Sequence, residues 1–210
     1  MDKDIFAYEM QLFREGYRLI AGTDEAGRGP LAGPVVSAAI ILPLDEQLRI
    51  PGVRDSKKLS EKKRDALYDI LISQAIAYGI GYSSPEEIDR INIREASRLS
   101  MKRAVENLEI VPDFLLVDAE KNLDVSMPQM GIIKGDDVSY LIGAASILAK
   151  VTRDRWMLQI HEEYPQYDFA KHKGYGTKAH MQALDQYGPC PWHRESFLKK
   201  WRASAHGHDL

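Results

Sequence analysis

Three places in this chain put carboxylates where α/β folds build sites, beyond the ends of strands. Asp24-Glu25 closes the apolar segment RLIAGT, Asp118 closes FLLV, and Asp136-Asp137 follows GIIKG. Each has a plainer reading: Asp118 as a turn residue, Asp136 or Asp137 as a helix N-cap. Taken together they point to chemistry. Several like charges buried in one cleft are costly unless a cation sits among them. The chain has one Cys, Cys190, so a cysteine cage and an intramolecular disulfide are excluded. Oxygen-only ligands suit a hard cation, Mg²⁺ or Mn²⁺. Two such ions roughly 3.5–4 Å apart clamp the attacking and leaving oxygens of a phosphodiester during in-line displacement. Adjacent strand residues face opposite sides. Asp24 and Glu25 therefore share one site only if the strand twists or ends there, which Ala26-Gly27 and Gly29 permit.

Two further segments carry recognition chemistry. In Gly27-Arg28-Gly29 the glycines let backbone approach a ligand, and Arg28 offers a fork-shaped donor for phosphate; the plainer reading is a tight turn. Lys171-His172-Lys173-Gly174-Tyr175-Gly176-Thr177 sets a ring between two glycines in a basic loop. Such a ring stacks on a sugar or base, or simply packs within the loop. Other matches fail. Gly27 to Ala32 fits G-x-G-x-x-A, but Pro30 and Pro34 spoil the helix start. Asp24 to Gly27 fits D-x-x-G without any G-x-x-x-x-G-K-[ST] loop. The six His have no zinc-like spacing and read mostly as surface residues.

Elements must position these groups. Residues 3–17 read as a short leading helix, 18–23 as a strand, and the continuous apolar run 35–42 as a buried strand. Ser60 caps a helix over 61–75. A strand at 78–82 and one helical turn at 85–89 follow. The amphipathic stretch 93–108 predicts a helix, 114–117 a strand and 129–133 a weaker one. A long helix spans 138–160, with the small-residue stretch GAAS for close approach. Thr177 caps a helix to 186, and 196–201 form a last short helix. Interleaved strands and helices predict an α/β fold around a mixed sheet.

The segments TDEAGRGPLAGPVV, RDSKKLS, LLVDAE, IKGDDVSYLIGAASILAKVTRD, HKGYGT and HRESF occur in this order. Together they resemble bacterial ribonuclease HII, the type 2 ribonuclease H family, from about residue 18 to 201. The resemblance implies a ribonuclease-H-like fold: a mixed five-stranded sheet flanked by helices, with a helical C-terminal region. Residues 1–17 are then a lead-in and 18–210 one catalytic domain. It assigns Asp24, Glu25, Asp118 and Asp136 as the catalytic, metal-binding acids, with Asp137 the second choice beside Asp136. It assigns Gly27, Arg28 and Gly29 to the ribonucleotide 2′-hydroxyl and neighbouring phosphate, and Tyr175 to substrate sensing. Ser56, Lys57 and Lys58 are implied as phosphate-side contacts; Arg194 and Ser196 either act similarly or hold the C-terminal region. The implied reaction is hydrolysis 5′ to a ribonucleotide, in RNA–DNA hybrids or alone in duplex DNA, leaving 3′-hydroxyl and 5′-phosphate. The implied cofactor is Mg²⁺ or Mn²⁺. Ribonuclease HIII is the nearer rival, but it lacks the Arg of Gly-Arg-Gly and carries an extra N-terminal domain. A silent nucleic-acid-binding module is the other, and it has no use for carboxylates facing phosphate.

The 210 residues carry 28 Lys/Arg and 31 Asp/Glu, a net charge of −3 that alone speaks against a nucleic-acid partner. The charge is uneven. Residues 1–149 hold 18 basic and 24 acidic groups, −6; residues 150–210 hold ten and seven, +3. The basic end reads as substrate-facing. Removing the four site carboxylates alone brings the chain to +1. No apolar run spans a bilayer, and no signal peptide opens the chain. A reduced, cytoplasmic setting and a monomer are expected, with no clamp-docking tail in SAHGHDL.

Overall fold

The computed structural model describes residues 5–53, 59–120 and 122–205. Its centre is a mixed five-stranded sheet in the order β3-β2-β1-β4-β5. The strands are β1 (Ile20–Ala26), β2 (Val35–Ile41), β3 (Ala77–Ser83), β4 (Phe114–Asp118) and β5 (Gln129–Ile132). β1 pairs antiparallel to β2 and β2 to β3, while β1–β4 and β4–β5 are parallel. β2 is buried along its whole length, which explains its unbroken apolar run.

Helices cover both faces. α1 (Ala7–Arg14), α2 (Glu61–Gln74) and the long α6 (Tyr140–Glu163) lie on one face, with Ala38, Ile40 and Leu116 beneath them. α4 (Ile93–Glu106) covers the other, over Ala39, Ile41, Leu115 and Val117. This odd–even split along each strand is the pleat dividing one sheet between two cores. α3 (Pro85–Ile91) precedes α4 and opens on a full Ser84–Glu87 capping box. α5 (Gly135–Val138) joins β5 to α6. α7 (Phe169–His172), α8 (Lys178–Tyr187) and α9 (Lys199–Ala205) form the C-terminal region around Phe169, Leu184 and Leu198.

Several boundaries differ from the sequence expectation for identifiable reasons. β1 starts two residues later than expected and runs on through Asp24-Glu25-Ala26, because β2 supplies antiparallel partners up to Ala26↔Val36. α6 starts at Tyr140 because Ser139 caps it, accepting a hydrogen bond from the Ile142 amide at 3.3 Å. The leading segment belongs to the main core: Ile5, Phe6 and Leu12 are buried in it, and Glu9 Oε1 accepts from Ser139 Oγ (2.6 Å) and the Leu141 amide (3.0 Å). Close approach of α6 to the sheet depends on Gly22 of β1. A Cβ there would collide with the Leu141 backbone. Among the described residues, no helix is long and apolar enough to cross a membrane.

Candidate active site

The parallel register Thr23↔Val117 carries β1 and β4 side by side to Asp24 and Asp118. β5 lies next to β4, with Asp118↔Ile132 as the last pair, and the chain then turns through Lys134 (φ 55°) into α5. That turn brings the Gly135 amide onto Asp118 Oδ1 at 2.6 Å. A Cβ at Gly135 would stand 3.2 Å from the same oxygen. Asp136 follows directly and is buried, 3% exposed, whereas Asp137 is exposed. Neither serves as a helix cap: Lys134 precedes α5, and Ser139 caps α6. Three neighbouring strands thus deliver four acids to one end of the sheet, as strand-end chemistry requires.

Asp24 shares the α6 face of β1 with Gly22, and Ser146 of α6 hydrogen-bonds its carboxylate. The Glu25 amide donates to Asp24 Oδ1 at 2.7 Å. Burial, then the like charges of Glu25 and Asp118, push the Asp24 carboxyl well above its ordinary value. Glu25 is raised mainly by burial and further by Asp118 and Glu120, opposed by Arg28 at 3.2 Å. Glu25 Oε2 is buried without a hydrogen-bond partner. Among the described residues no three His, Cys, Asp or Glu groups form a ready-made metal cage. The donor set still fits a hard divalent cation: all oxygen, crowded with like charge, and holding an orphaned buried carboxylate oxygen.

Beside the acids lies an open cleft of about 440 Å³. Glu25, Gly27, Arg64, Ser146, Lys150, Arg153 and Tyr175 line it. Gly27 has φ +96°, and a Cβ there would strike the Arg153 guanidinium. Tyr175, 47% exposed, brings its ring within 3.5 Å of where a Gly29 Cβ would stand. The Gly-Arg-Gly loop and the Tyr175 loop are joined by Leu31 N–H donating to Gly174 O at 2.9 Å.

Two arginines hold this loop from inside, and the sequence left both roles open or unseen. Arg194, fully buried, donates to Gly33 O (3.0 Å), Arg28 O (3.0 Å) and Gly27 O (2.6 Å). Arg153, 1% exposed, donates to Pro34 O (3.0 Å), Lys173 O (3.0 Å) and Ala32 O (3.1 Å). Arg194 therefore braces the loop and does not meet solvent phosphate. Ser196 donates to Asp89 and anchors the C-terminal region. Burial lowers both guanidiniums, Arg153 to about 10 and Arg194 to about 9, so both remain charged at neutral pH. Only the patterns of burial and carbonyl supply reveal these roles.

One expectation is overturned. His172, His180 and His193 are buried, not on the surface, because they pack with Tyr167 and Phe169 in the C-terminal core. Ser56, Lys57 and Lys58 lie outside the described residues.

A family model described as Ribonuclease HII matches residues 21–202. The ribonuclease HII of Caldicellulosiruptor saccharolyticus is 53% identical over 199 residues, covering 95% of this chain and 96% of that protein. The crystal structure of ribonuclease H2 from Pyrococcus horikoshii OT3 matches with a TM-score of 0.73 at 30% identity, over 85% of this chain and 93% of that one. Bst-RNase HIII, solved in complex with Mn²⁺, matches with a TM-score of 0.71 over 92% of this chain and 72% of its own. Its 17% identity shows a shared fold alone. With 53% identity along almost the whole length of a curated relative, and the family model covering nearly all of the sheet, the four acids and the loops of Gly27–Gly29 and Tyr175, the chain belongs to the ribonuclease HII family, nucleases of the ribonuclease H type that act on RNA–DNA.

Proposed function

We propose that this chain cleaves the phosphodiester 5′ to ribonucleotides in RNA–DNA hybrids and at single ribonucleotides within duplex DNA, leaving 3′-hydroxyl and 5′-phosphate. The observation that carries the reading is that Glu25, next to Asp24 at the end of β1, meets the Gly27–Gly29 loop and the exposed Tyr175 ring around one cleft. Asp24, Glu25, Asp118 and Asp136 would hold Mg²⁺ or Mn²⁺, and the Mn²⁺ of Bst-RNase HIII supports a divalent ion for this fold. When bound, such ions activate water and stabilise the leaving 3′ oxygen.

The protein's own groups supply the rest. Ser146 orients Asp24, and the Gly135 amide orients Asp118. Arg28 holds Glu25 while its half-exposed guanidinium faces incoming phosphate. The braced Gly27–Gly29 backbone reads the 2′-hydroxyl, the group that separates RNA from DNA. Tyr175 stacks on the deoxyribose side of the junction, where another 2′-hydroxyl would interfere. The role is ribonucleotide removal from DNA by a cytoplasmic monomer. The test is an end-labelled duplex with one ribonucleotide, incubated with Mg²⁺, Mn²⁺ or chelator. A metal-dependent nick 5′ to the ribonucleotide is expected; no nick, or one that survives chelation, overturns the reading. Tyr175→Ala should lose more on this duplex than on a continuous hybrid, and equal losses would sink junction sensing.

A further inference from the structure

The Tyr175 loop rests on three imidazoles, His172 of α7, His180 of α8 and His193, whose hydrogen bonds run to backbone, to the Cys190 thiol and to one another. The His172 and His180 rings stack with centroids 4.5 Å apart. Their tautomers follow from groups that can only donate or only accept. His193 Nδ1 faces the Cys190 amide at 2.9 Å, the Cys190 thiol at 3.2 Å and the Cys190 carbonyl at 3.3 Å; the shortest contact is with a group that can only donate, so the His193 proton sits on Nε2. That nitrogen is 2.9 Å from His180 Nε2 and donates to it. The His180 proton is then on Nδ1, which donates to the Tyr175 carbonyl at 2.9 Å. By the same reasoning the Gly174 amide donates to His172 Nδ1 at 3.2 Å, and His172 Nε2–H donates to Tyr167 O at 2.7 Å.

The direction of the chain is thus set at Cys190 and ends on Tyr175. His180 grips this loop a second way: its amide donates to Thr177 Oγ1 at 3.3 Å. The carbonyl of Tyr175 is held from inside while its ring stays in the cleft. Burial keeps His180 and His193 neutral, each lowered to about 4. Among the described residues this cluster fits no metal site, so hydrogen bonding is its chemistry.

We infer that His193 and His180 form a one-way hydrogen-bond relay that positions Tyr175, making both positioning residues for ribonucleotide recognition. The inference rests on the proposed reading of Tyr175 as the junction sensor. Two measurements test it. Imidazole ¹⁵N NMR of the full chain without metal should show His180 protonated on Nδ1 and His193 on Nε2; a proton on His180 Nε2 overturns the relay. A double-mutant cycle on the single-ribonucleotide duplex with Mg²⁺ gives the second. His180→Phe should lower kcat/KM about tenfold alone, and less than about twofold in the Tyr175→Ala background. Losses that multiply overturn the inference, because His180 would then act elsewhere. Should His180→Phe fold poorly, His180→Asn keeps a donor in the Nδ1 position and should stay within about threefold of wild type; a loss matching that of Tyr175→Ala overturns the inference. Wild-type cleavage by Tyr175→Ala overturns the sensor reading instead, a failure separable from a reversed tautomer.

Discussion

Replacing Arg194 by Met tests whether the Gly27–Gly33 loop is held by its carbonyls. Met keeps most of the side-chain volume and removes every donor. Three acceptors lose their partner: Gly33 O in a buried setting, Arg28 O and Gly27 O in partly buried ones. An orphaned buried carbonyl costs about 1–3 kcal/mol, and the two at the loop surface recover part of their loss from water. Removing a buried guanidinium returns some desolvation energy, and it relieves the repulsion with Arg153. The net loss is about 2–4 kcal/mol by these magnitudes. For a chain of this size that is a fall of roughly 5–15 °C in Tm. Differential scanning calorimetry without metal measures it. Below the new Tm, kcat/KM on a single-ribonucleotide duplex should fall about 10–100-fold, since a loop displaced by about an ångström misplaces its backbone donors. Lys in place of Arg keeps the charge but not the planar fork, so Arg194→Lys should resemble Met more than wild type. A variant with unchanged Tm and unchanged kcat/KM would refute the bracing role, and full rescue by Lys would show that charge alone matters.

Asp24→Asn removes a buried like charge. The folded Asp24 holds its proton to higher pH than the unfolded chain, so its burden on stability is absent below about pH 3.8 and grows as pH rises to the folded value. The variant should therefore melt above wild type at pH 8 without metal, converge with it in acid, and lose cleavage by about 10³-fold or more; full activity would reject the metal assignment. Asp136→Asn should be similarly inactive while Asp137→Asn stays within about threefold of wild type, measured on the same duplex, because only the first is buried beside Asp118. His180 and His193 titrate in the opposite sense. Their folded values lie near 4, below the ordinary 6.5, so the stability that their neutral forms carry is full above pH 6.5 and is lost as pH falls towards 4. Titrating stability against pH in His180→Phe should flatten that slope; an unchanged slope would place the titrating groups elsewhere.

The convergence of the acids at one end of the sheet was legible because Asp24-Glu25 and Asp118 lie at or near strand ends. An Asp after FLLV can equally be a turn residue; it is the order of β1, β4 and β5 that gathers the acids. Asp136 and Asp137 were not separable locally, since one turn of α5 decides which is buried. The bracing arginines were illegible for a different reason. Arg153 sits on α6 and Arg194 lies 161 residues from one of its acceptors, so neither role has a local pattern. The histidines failed as surface residues because their rings pack on one another and on Tyr167 and Phe169, while backbone groups two to five residues away satisfy their nitrogens, a pattern that composition does not record. Gly22 likewise shows no turn signal; its need comes from the Leu141 backbone lying over it.

Net charge is a sum over the whole chain, whereas a polyanion meets only the local potential. Here the two signs are sorted by position, both of them buried. Asp24 and Asp136 are buried at this end of the sheet, and like charge from Glu25 and Asp118 crowds Asp24. Arg153 and Arg194 are buried a few residues away in space, beneath the loop of Gly27 to Pro34, with carbonyl dipoles as their partners. Two buried positive charges cannot be screened by salt as surface lysines are. They place positive potential behind the loop, while the acids place negative potential in the neighbouring cleft. The basic excess after residue 150 is thus partly interior: two of its ten cations serve by staying out of solvent. A net charge of −3 is compatible with a nucleic-acid substrate because four gathered carboxylates outweigh the sum, and a divalent ion held among them would neutralise that part.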